Sequence, residues 1–192
     1  MDFITDRYEV ILASKSPRRQ ALLKEIVPEF SIMLRDTAET YPPTLKGAQI
    51  VEHLANLKAS AFDGELADNQ LLITADTIVW IDDMVLGKPK GRSGAIAMLQ
   101  QLSGRKHTVY TGVCLKTNQK KRVFSVATDV FFRPLSDDEI EYYVDKYQPF
   151  DKAGSYGVQE WIGYVGVERI EGSYFNVMGL PVQRLYQELK EF

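Results

Sequence analysis

Hydroxyls and guanidiniums crowd one short stretch near the amino terminus, Ser14-Lys15-Ser16-Pro17-Arg18-Arg19. Ser16 suits a helix N-cap, and Pro17 suits the first helical position, where an N–H would be unpaired in any residue. The free amides of that first turn, the helix dipole, both serine hydroxyls and both arginines would then converge on one point. That is the chemistry of an anion site, phosphate above all. The alternative is a plain strand-to-helix turn with solvated arginines. Cations at a helix N-terminus oppose the dipole, however, so Arg18 and Arg19 require a bound anion or an acidic neighbour, and the anion site is preferred.

Lys58 is the next residue whose position needs a reason. On a helical wheel Ile50, Val51, Leu54, Leu57, Ala61 and Phe62 form one apolar arc, with Glu52, Asn56 and Asp63 opposite. Lys58 falls inside the apolar arc, where a buried ammonium needs a partner. Taken alone, snorkelling to water at the helix end accounts for it. Beside a phosphate site, a lysine reaching into the same cleft accounts for it better.

Asp76 lies within the most apolar run of the chain, Leu71-Leu72-Ile73-Thr74-Ala75-Asp76-Thr77-Ile78-Val79-Trp80. A carboxylate there costs several kcal/mol unless it is paired or bound to a metal. A structural aspartate bonded to nearby amides is the alternative to a metal or catalytic role. Thr77 adds a hydroxyl on the other face of the strand. Lys88 in Gly87-Lys88-Pro89, Lys152 in Asp151-Lys152-Ala153-Gly154 and Glu39 in Asp36-Thr37-Ala38-Glu39 are weaker candidates, since loop charges are commonly just solvated. The two histidines, His53 and His107, belong to no Cys/His cluster, which argues against zinc. There is no Walker loop, no Gly-x-Gly-x-x-Gly fingerprint and no basic-aromatic stripe for single-stranded nucleic acid.

The elements that must position these residues alternate. A strand at Glu9–Ala13 runs into the Ser14–Arg19 turn and a short helix through Gln20, Leu22 and Leu23. A strand at Phe30–Leu34, a polar loop from Arg35 to Lys46 and a helix from Gly47 to Phe62 follow. The Leu71–Trp80 strand turns at Asp82-Asp83 toward Met84–Leu86, and Ser93 is read as the cap of a helix reaching Leu102. Lys106–Leu115 and Val123–Phe132 read as a hairpin turning near Asn118-Gln119. Ser136-Asp137-Asp138-Glu139 is a capping box, with Ile140, Tyr143, Val144 and Tyr147 on one face. An irregular stretch from Asp151 to Gln159, a strand at Tyr164–Ile170 and a helix opened by Pro181, with Val182, Leu185 and Leu189 inward, complete an α/β fold with a mixed sheet.

At 192 residues, 45% hydrophobic and 26% charged, the chain has the composition of one sizeable folded domain. A formal net charge of -3 argues against a duplex nucleic-acid partner but not against a small anionic substrate held by a few gathered cations. The single cysteine, Cys114, sits in an apolar run and reads as a small core residue in a reducing compartment. Met1-Asp2-Phe3-Ile4-Thr5-Asp6-Arg7 has acids and no long apolar stretch, so it does not read as a signal peptide. With no run approaching a membrane span, the expectation is a cytoplasmic protein with no membrane partner.

Several motifs stand in order along nearly the whole chain. They are Ala13-Ser14-Lys15-Ser16-Pro17-Arg18-Arg19, Ala75-Asp76-Thr77, Gly87-Lys88-Pro89, Ser103-Gly104…His107-Thr108-Val109-Tyr110-Thr111-Gly112-Val113, Asp151-Lys152-Ala153-Gly154-Ser155-Tyr156-Gly157-Val158-Gln159 and Gly172-Ser173-Tyr174…Gly179-Leu180-Pro181. Together they resemble the Maf family of nucleotide pyrophosphatases, also called septum-formation-inhibitor-like proteins. The resemblance implies one domain over residues 1–192, with an elongated mixed sheet flanked by helices and two lobes with a cleft, related to the inosine triphosphate pyrophosphatases. It implies hydrolysis between the α- and β-phosphates of a nucleoside triphosphate with a divalent metal, Mg²⁺ or Mn²⁺.

By that resemblance Asp76 matches the catalytic acid, usually described as the proton acceptor. Ser14, Arg18, Arg19, Lys58, Lys88 and Lys152 match phosphate-binding positions, and Glu39 a metal-side carboxylate beside Asp76. Arg18, Thr77 and Gln159 match positions associated with the dTTP/UTP-hydrolysing branch. One departure is Glu160, where the family pattern leads to glycine; an acid there bears on the loop beside the base. Removal of modified nucleotides and a link to cell-division arrest are further implications. A non-catalytic nucleotide-binding regulator of septum formation, and a pyrophosphatase for non-standard purine triphosphates, remain as alternatives. So do base and metal ligand as roles of Asp76, and assembly as a homodimer is left open.

Overall fold

The computed structural model describes residues 4–192, so the reading of Met1-Asp2-Phe3 lies outside the described residues. The elements, in chain order, begin with β1 (Glu9–Leu12), α1 (Pro17–Lys24), β2 (Ser31–Ile32), α2 (Ala48–Ser60) and β3 (Gln70–Ile81). Next come β4 (Met84–Leu86), α3 (Gly91–Leu102), β5 (Lys106–Lys116), β6 (Lys121–Phe132) and α4 (Asp137–Tyr147). After a single 3₁₀ turn at Ala153–Ser155 the chain ends with α5 (Trp161–Gly166), β7 (Val167–Glu171), α6 (Tyr174–Met178) and α7 (Val182–Glu191).

The strands form one seven-stranded sheet in the order β2-β1-β3-β5-β6-β7, with β4 paired to β3 off that path. It is mixed: β1 runs parallel to β2 and β3, whereas β4 is antiparallel to β3 and β7 to β6. Residues up to Asp76, Thr111–Val126 and Gly179–Phe192 form one compact unit; Thr77–Tyr110 and Ala127–Met178 form a second.

In the first unit, β3 is buried on both faces along Leu71–Asp76, as its continuous apolar run requires. Ile11, Leu72 and Cys114 from the sheet pack with Ala55, Ala59 and Phe62. Burial pushes the Cys114 thiol up to about 11, so it stays protonated and packs as a small apolar residue. Gly112 lets α2 approach the sheet: a Cβ there would overlap the Val51 carbonyl and lie 2.8 Å from the Glu52 amide nitrogen. The Thr74 hydroxyl donates to the Ala55 carbonyl at 2.6 Å, tying the middle of β3 to the same helix.

In the second unit, Val79 and Ile81 pack with Ala95, Leu99 and Leu102 of α3 and with Ile140, Tyr143 and Val144 of α4. The capping box starts α4 as expected: the Ser136 hydroxyl accepts from the Glu139 N–H, and the Glu139 carboxylate accepts from the Ser136 N–H. That fixed start sets the phase that turns Tyr143 inward.

Three element readings are corrected. The second strand is only Ser31–Ile32: both residues are exposed, so no buried face holds the rest of the Phe30–Leu34 run to the sheet. Beyond Ile32 one bond, from the Met33 N–H to the Leu12 carbonyl at 3.3 Å, continues toward β1. Ser93 is not a cap. Helix α3 starts at Gly91, whose φ of +73° makes the turn after Pro89, and Lys90 takes the N-cap position without a side-chain bond. Tyr164–Gly166 are helical rather than extended: Ile162 and Gly166, four apart, face inward while Tyr164 is 83% exposed, and the strand begins at Val167.

Candidate active site

Helix α1 begins as its residues dictate. Ser16 is the N-cap, its hydroxyl accepting from the Arg19 N–H at 3.4 Å, and Pro17 follows at the first helical position. Buried Ser14 lies two residues before the N-cap, where its hydroxyl accepts from the Ser16 N–H at 3.2 Å. Its carbonyl accepts from the Gln20 side chain at 3.0 Å.

Arg18 and Arg19 leave the first turn half-buried. The Arg19 Nε–H donates to the Gly179 carbonyl at 2.8 Å, and an Nη1–H donates to the Ala75 carbonyl at 2.9 Å. Arg19 therefore ties three of the ordered motifs together within the first unit. Burial lowers its pKa, and the nearby Asp76 opposes that shift. A guanidinium remains charged in either case. The acidic neighbour of Arg19 is thus Asp76, one residue beyond the carbonyl that Arg19 grips.

Asp76 is 8% exposed, and its Oδ1 accepts a hydrogen bond from the Lys58 ammonium. Glu39 Oε1 lies 2.9 Å from the same Lys58 nitrogen. The Lys58 side chain is 17% exposed, so the ammonium lies at the edge of the fold, between two carboxylates, and does not snorkel to open water. Ser14, Arg19, Glu39, Lys58 and Asp76 all belong to the first unit.

Among the described residues no group of three His, Cys, Asp or Glu could hold a metal ion. Asp76 and Glu39 do present two carboxylates to one positive charge. An all-oxygen pair suits Mg²⁺ or Mn²⁺, which ordinarily complete their shell with water and substrate phosphate oxygens. The donor set fits a substrate-shared ion, not a metal caged by protein alone.

The other sequence-predicted residues belong to the second unit. Thr77 follows Asp76 on β3, half-buried. Lys88 is exposed in its turn, and the Gly87 carbonyl beside it accepts from the Gly154 N–H at 3.1 Å. The Gly87-Lys88-Pro89 and Lys152-Ala153-Gly154 motifs are thereby joined. Gly154, at φ +68°, sits against β3; a Cβ there would lie 2.8 Å from Val79 Cγ2. Lys152 is nearly buried, with Nζ 2.9 Å from Asp151 Oδ1 and 3.1 Å from Glu160 Oε1. The Gln159 Oε1 atom is buried without a hydrogen-bond partner among the described residues.

Sequence reasoning missed the support beneath this loop. The Tyr143 hydroxyl donates to the Glu160 carboxylate and accepts from the Gly157 N–H at 3.0 Å. Burial, and then the Glu160 contact, raise the Tyr143 pKa, so it remains a neutral phenol. His107, 1% exposed, shares a 2.7 Å hydrogen bond with Tyr156, and burial lowers its pKa to about 4. Both histidine and tyrosine lie inside the ordered motifs, which was the available signal.

The mixed sheet with its flanking helices is the fold of the Ham1 proteins. The Staphylococcus aureus Ham1 protein superposes with a TM-score of 0.57 at 17% identity, covering 95% of this chain and 98% of that one. Within that fold the chain belongs to the Maf-like protein family, whose family model matches residues 9–192. A dTTP/UTP pyrophosphatase of Bacteroides thetaiotaomicron is 55% identical over 187 residues, 97% of each chain. One of Bacteroides fragilis is 56% identical over the same length and coverage.

Proposed function

We propose that this chain hydrolyses dTTP and UTP to the nucleoside monophosphate and pyrophosphate. The observation that carries the reading is the Lys58 ammonium held between Asp76 and Glu39, in the unit that also holds the Ser14–Arg19 turn. Relatives that share more than half of its residues over nearly its full length bear that activity in their names.

A nucleoside triphosphate carries several negative charges, and departure of pyrophosphate concentrates more on the bridging oxygen. Positioning and charge neutralisation therefore supply most of the catalysis. Arg18, Arg19 and Lys58 hold phosphate oxygens, aided by the Ser14 hydroxyl, and Lys88 and Lys152 are assigned to the same work. Water attacks the α-phosphorus, the bond to the α,β-bridging oxygen breaks, and pyrophosphate leaves with the bond electrons. Asp76 accepts the water proton; because Oδ1 takes the Lys58 ammonium, Oδ2 is the oxygen assigned to it. Asp76 and Glu39 would hold a bound Mg²⁺ or Mn²⁺, which supplies Lewis-acid charge stabilisation. Arg18, Thr77 and Gln159 select the base, with hydroxyl and amide groups able to meet a pyrimidine edge. The protein acts in the cytoplasm on free nucleotides, not on nucleic acid, and is open to homodimer assembly. No described helix is long and apolar enough to cross a membrane.

The test is a panel of dTTP, UTP, CTP, ITP and 7-methyl-GTP with Mg²⁺ or Mn²⁺. Monophosphate plus pyrophosphate from dTTP and UTP supports the proposal. No turnover favours a nucleotide-binding regulator, and preference for ITP favours a purine-directed enzyme.

A further inference from the structure

Lys152 is the most confined of the cations assigned to phosphate. Its side chain is 10% exposed, and its ammonium already faces two carboxylates, Asp151 at 2.9 Å and Glu160 at 3.1 Å. An ammonium has three N–H donors. Asp151 accepts a hydrogen bond from the Lys152 ammonium and the Glu160 carboxylate lies beside it, so its charge is largely offset and its remaining donors are held in direction. Such a lysine supplies orientation, not counter-charge.

Glu160 has its own anchor. Its second carboxylate oxygen accepts from the hydroxyl of Tyr143, a fully buried side chain (0% exposed) on α4. The same hydroxyl accepts from the Gly157 N–H, so one phenol holds both the acid and the loop backbone. Gly157 is wedged against the pair: a Cβ there would lie 2.9 Å from Glu160 Cδ and 3.1 Å from Lys152 Cε. The residue before Glu160 is Gln159, whose buried Oε1 lacks a partner among the described residues. A buried acceptor left unpaired is unfavourable until a ligand donor meets it. The imide N3–H of uracil or thymine is such a donor, and N3 of cytosine is not.

We propose that Glu160, anchored by Tyr143, is a positioning residue that fixes Lys152 and the Gln159 amide, so that this loop selects an imide-bearing pyrimidine while Lys152 keeps a directed donor for phosphate. The inference rests on the dTTP/UTP reading above and assigns a role to the residue that departs from the family pattern.

Steady-state kinetics of the wild type, Glu160→Ala, Glu160→Gln and Tyr143→Phe on dTTP, UTP and CTP test it. Glu160→Ala is expected to raise KM for dTTP and UTP about tenfold with kcat within about twofold, and to narrow the UTP-to-CTP ratio of kcat/KM. Glu160→Gln keeps the side-chain shape but offers one acceptor oxygen where Glu160 uses two, so it restores only part of the loss. Tyr143→Phe keeps the ring packing and moves KM and the ratio in the same direction as Glu160→Ala; it carries the test if Glu160→Ala does not fold. A role in stability alone would lower Tm and scale kcat equally for every nucleotide. Unmoved KM and an unmoved UTP-to-CTP ratio in folded variants of an active wild type overturn this inference alone. A wild type that turns over neither dTTP nor UTP overturns the functional reading and this inference with it.

Discussion

The Lys58 ammonium is hydrogen-bonded to the Asp76 carboxylate, joining the one cation on the apolar arc of α2 to the one acid in the apolar run of β3. Each residue taken singly is an unfavourable burial, and each is the partner that the other requires. Removing either takes away the hydrogen-bonded partner of the other, with Glu39 left beside Lys58 or Arg19 left beside Asp76. Lys58→Met keeps the stem and removes the charge, and is expected to destabilise the fold by about 3 kcal/mol. Calorimetric unfolding checks this. The double variant Lys58→Met/Asp76→Asn is expected to lose less than the sum of the single losses, because each single change already removes the attraction between opposite charges.

Asp76→Asn retains the shape of the side chain and its bond to Lys58 but removes the basic oxygen. We expect kcat on dTTP to fall by a factor on the order of 10²–10⁴. Nucleotide binding, followed by calorimetric titration, changes little, because the Ser14–Arg19 turn is untouched. Turnover at the wild-type rate in this variant would remove Asp76 from the mechanism.

Gly112→Ala tests the close approach of α2 to the sheet. The added methyl would overlap the Val51 carbonyl, part of the helix that carries Lys58. Overpacking against backbone is expected to cost at least about 2 kcal/mol and to lower Tm, with activity falling as Lys58 is displaced.

The buried His107–Tyr156 pair makes stability depend on pH. The His107 pKa is about 4 in the folded protein, against an ordinary value of 6.5, so the unfolded chain binds its proton first as pH falls. The contribution is complete above pH about 6.5 and is lost progressively down to pH about 4, in total roughly 3 kcal/mol. Tm measured across that window should decline in the wild type. It should decline less in His107→Gln, which keeps an acceptor for Tyr156 without the titration.

Much of this was legible in the sequence because local rules act over a few residues. The Ser16-Pro17 start of α1 and the capping box of α4 follow from short-range hydrogen bonding, and the misfit of Lys58 and Asp76 follows from periodicity. Periodicity could show that each needed a partner, but not that they were each other's. The Arg19 bonds to Gly179 and Ala75 join residues far apart in the chain, and no spacing rule announces them. The Tyr143–Glu160 contact was hidden for a related reason: Tyr143 looked like one more apolar residue on a helix face. The helix at Trp161–Gly166 was misread because a run of Tyr, Val and Gly fits a strand as well as a short turn of helix, and only packing decides.

The central claim is that water attacks the α-phosphorus of dTTP and UTP. It is tested most directly by running the reaction in H₂¹⁸O and locating the label by mass spectrometry. The mechanism predicts ¹⁸O in the nucleoside monophosphate and unlabelled pyrophosphate. Label in pyrophosphate, or release of labelled orthophosphate, would contradict it.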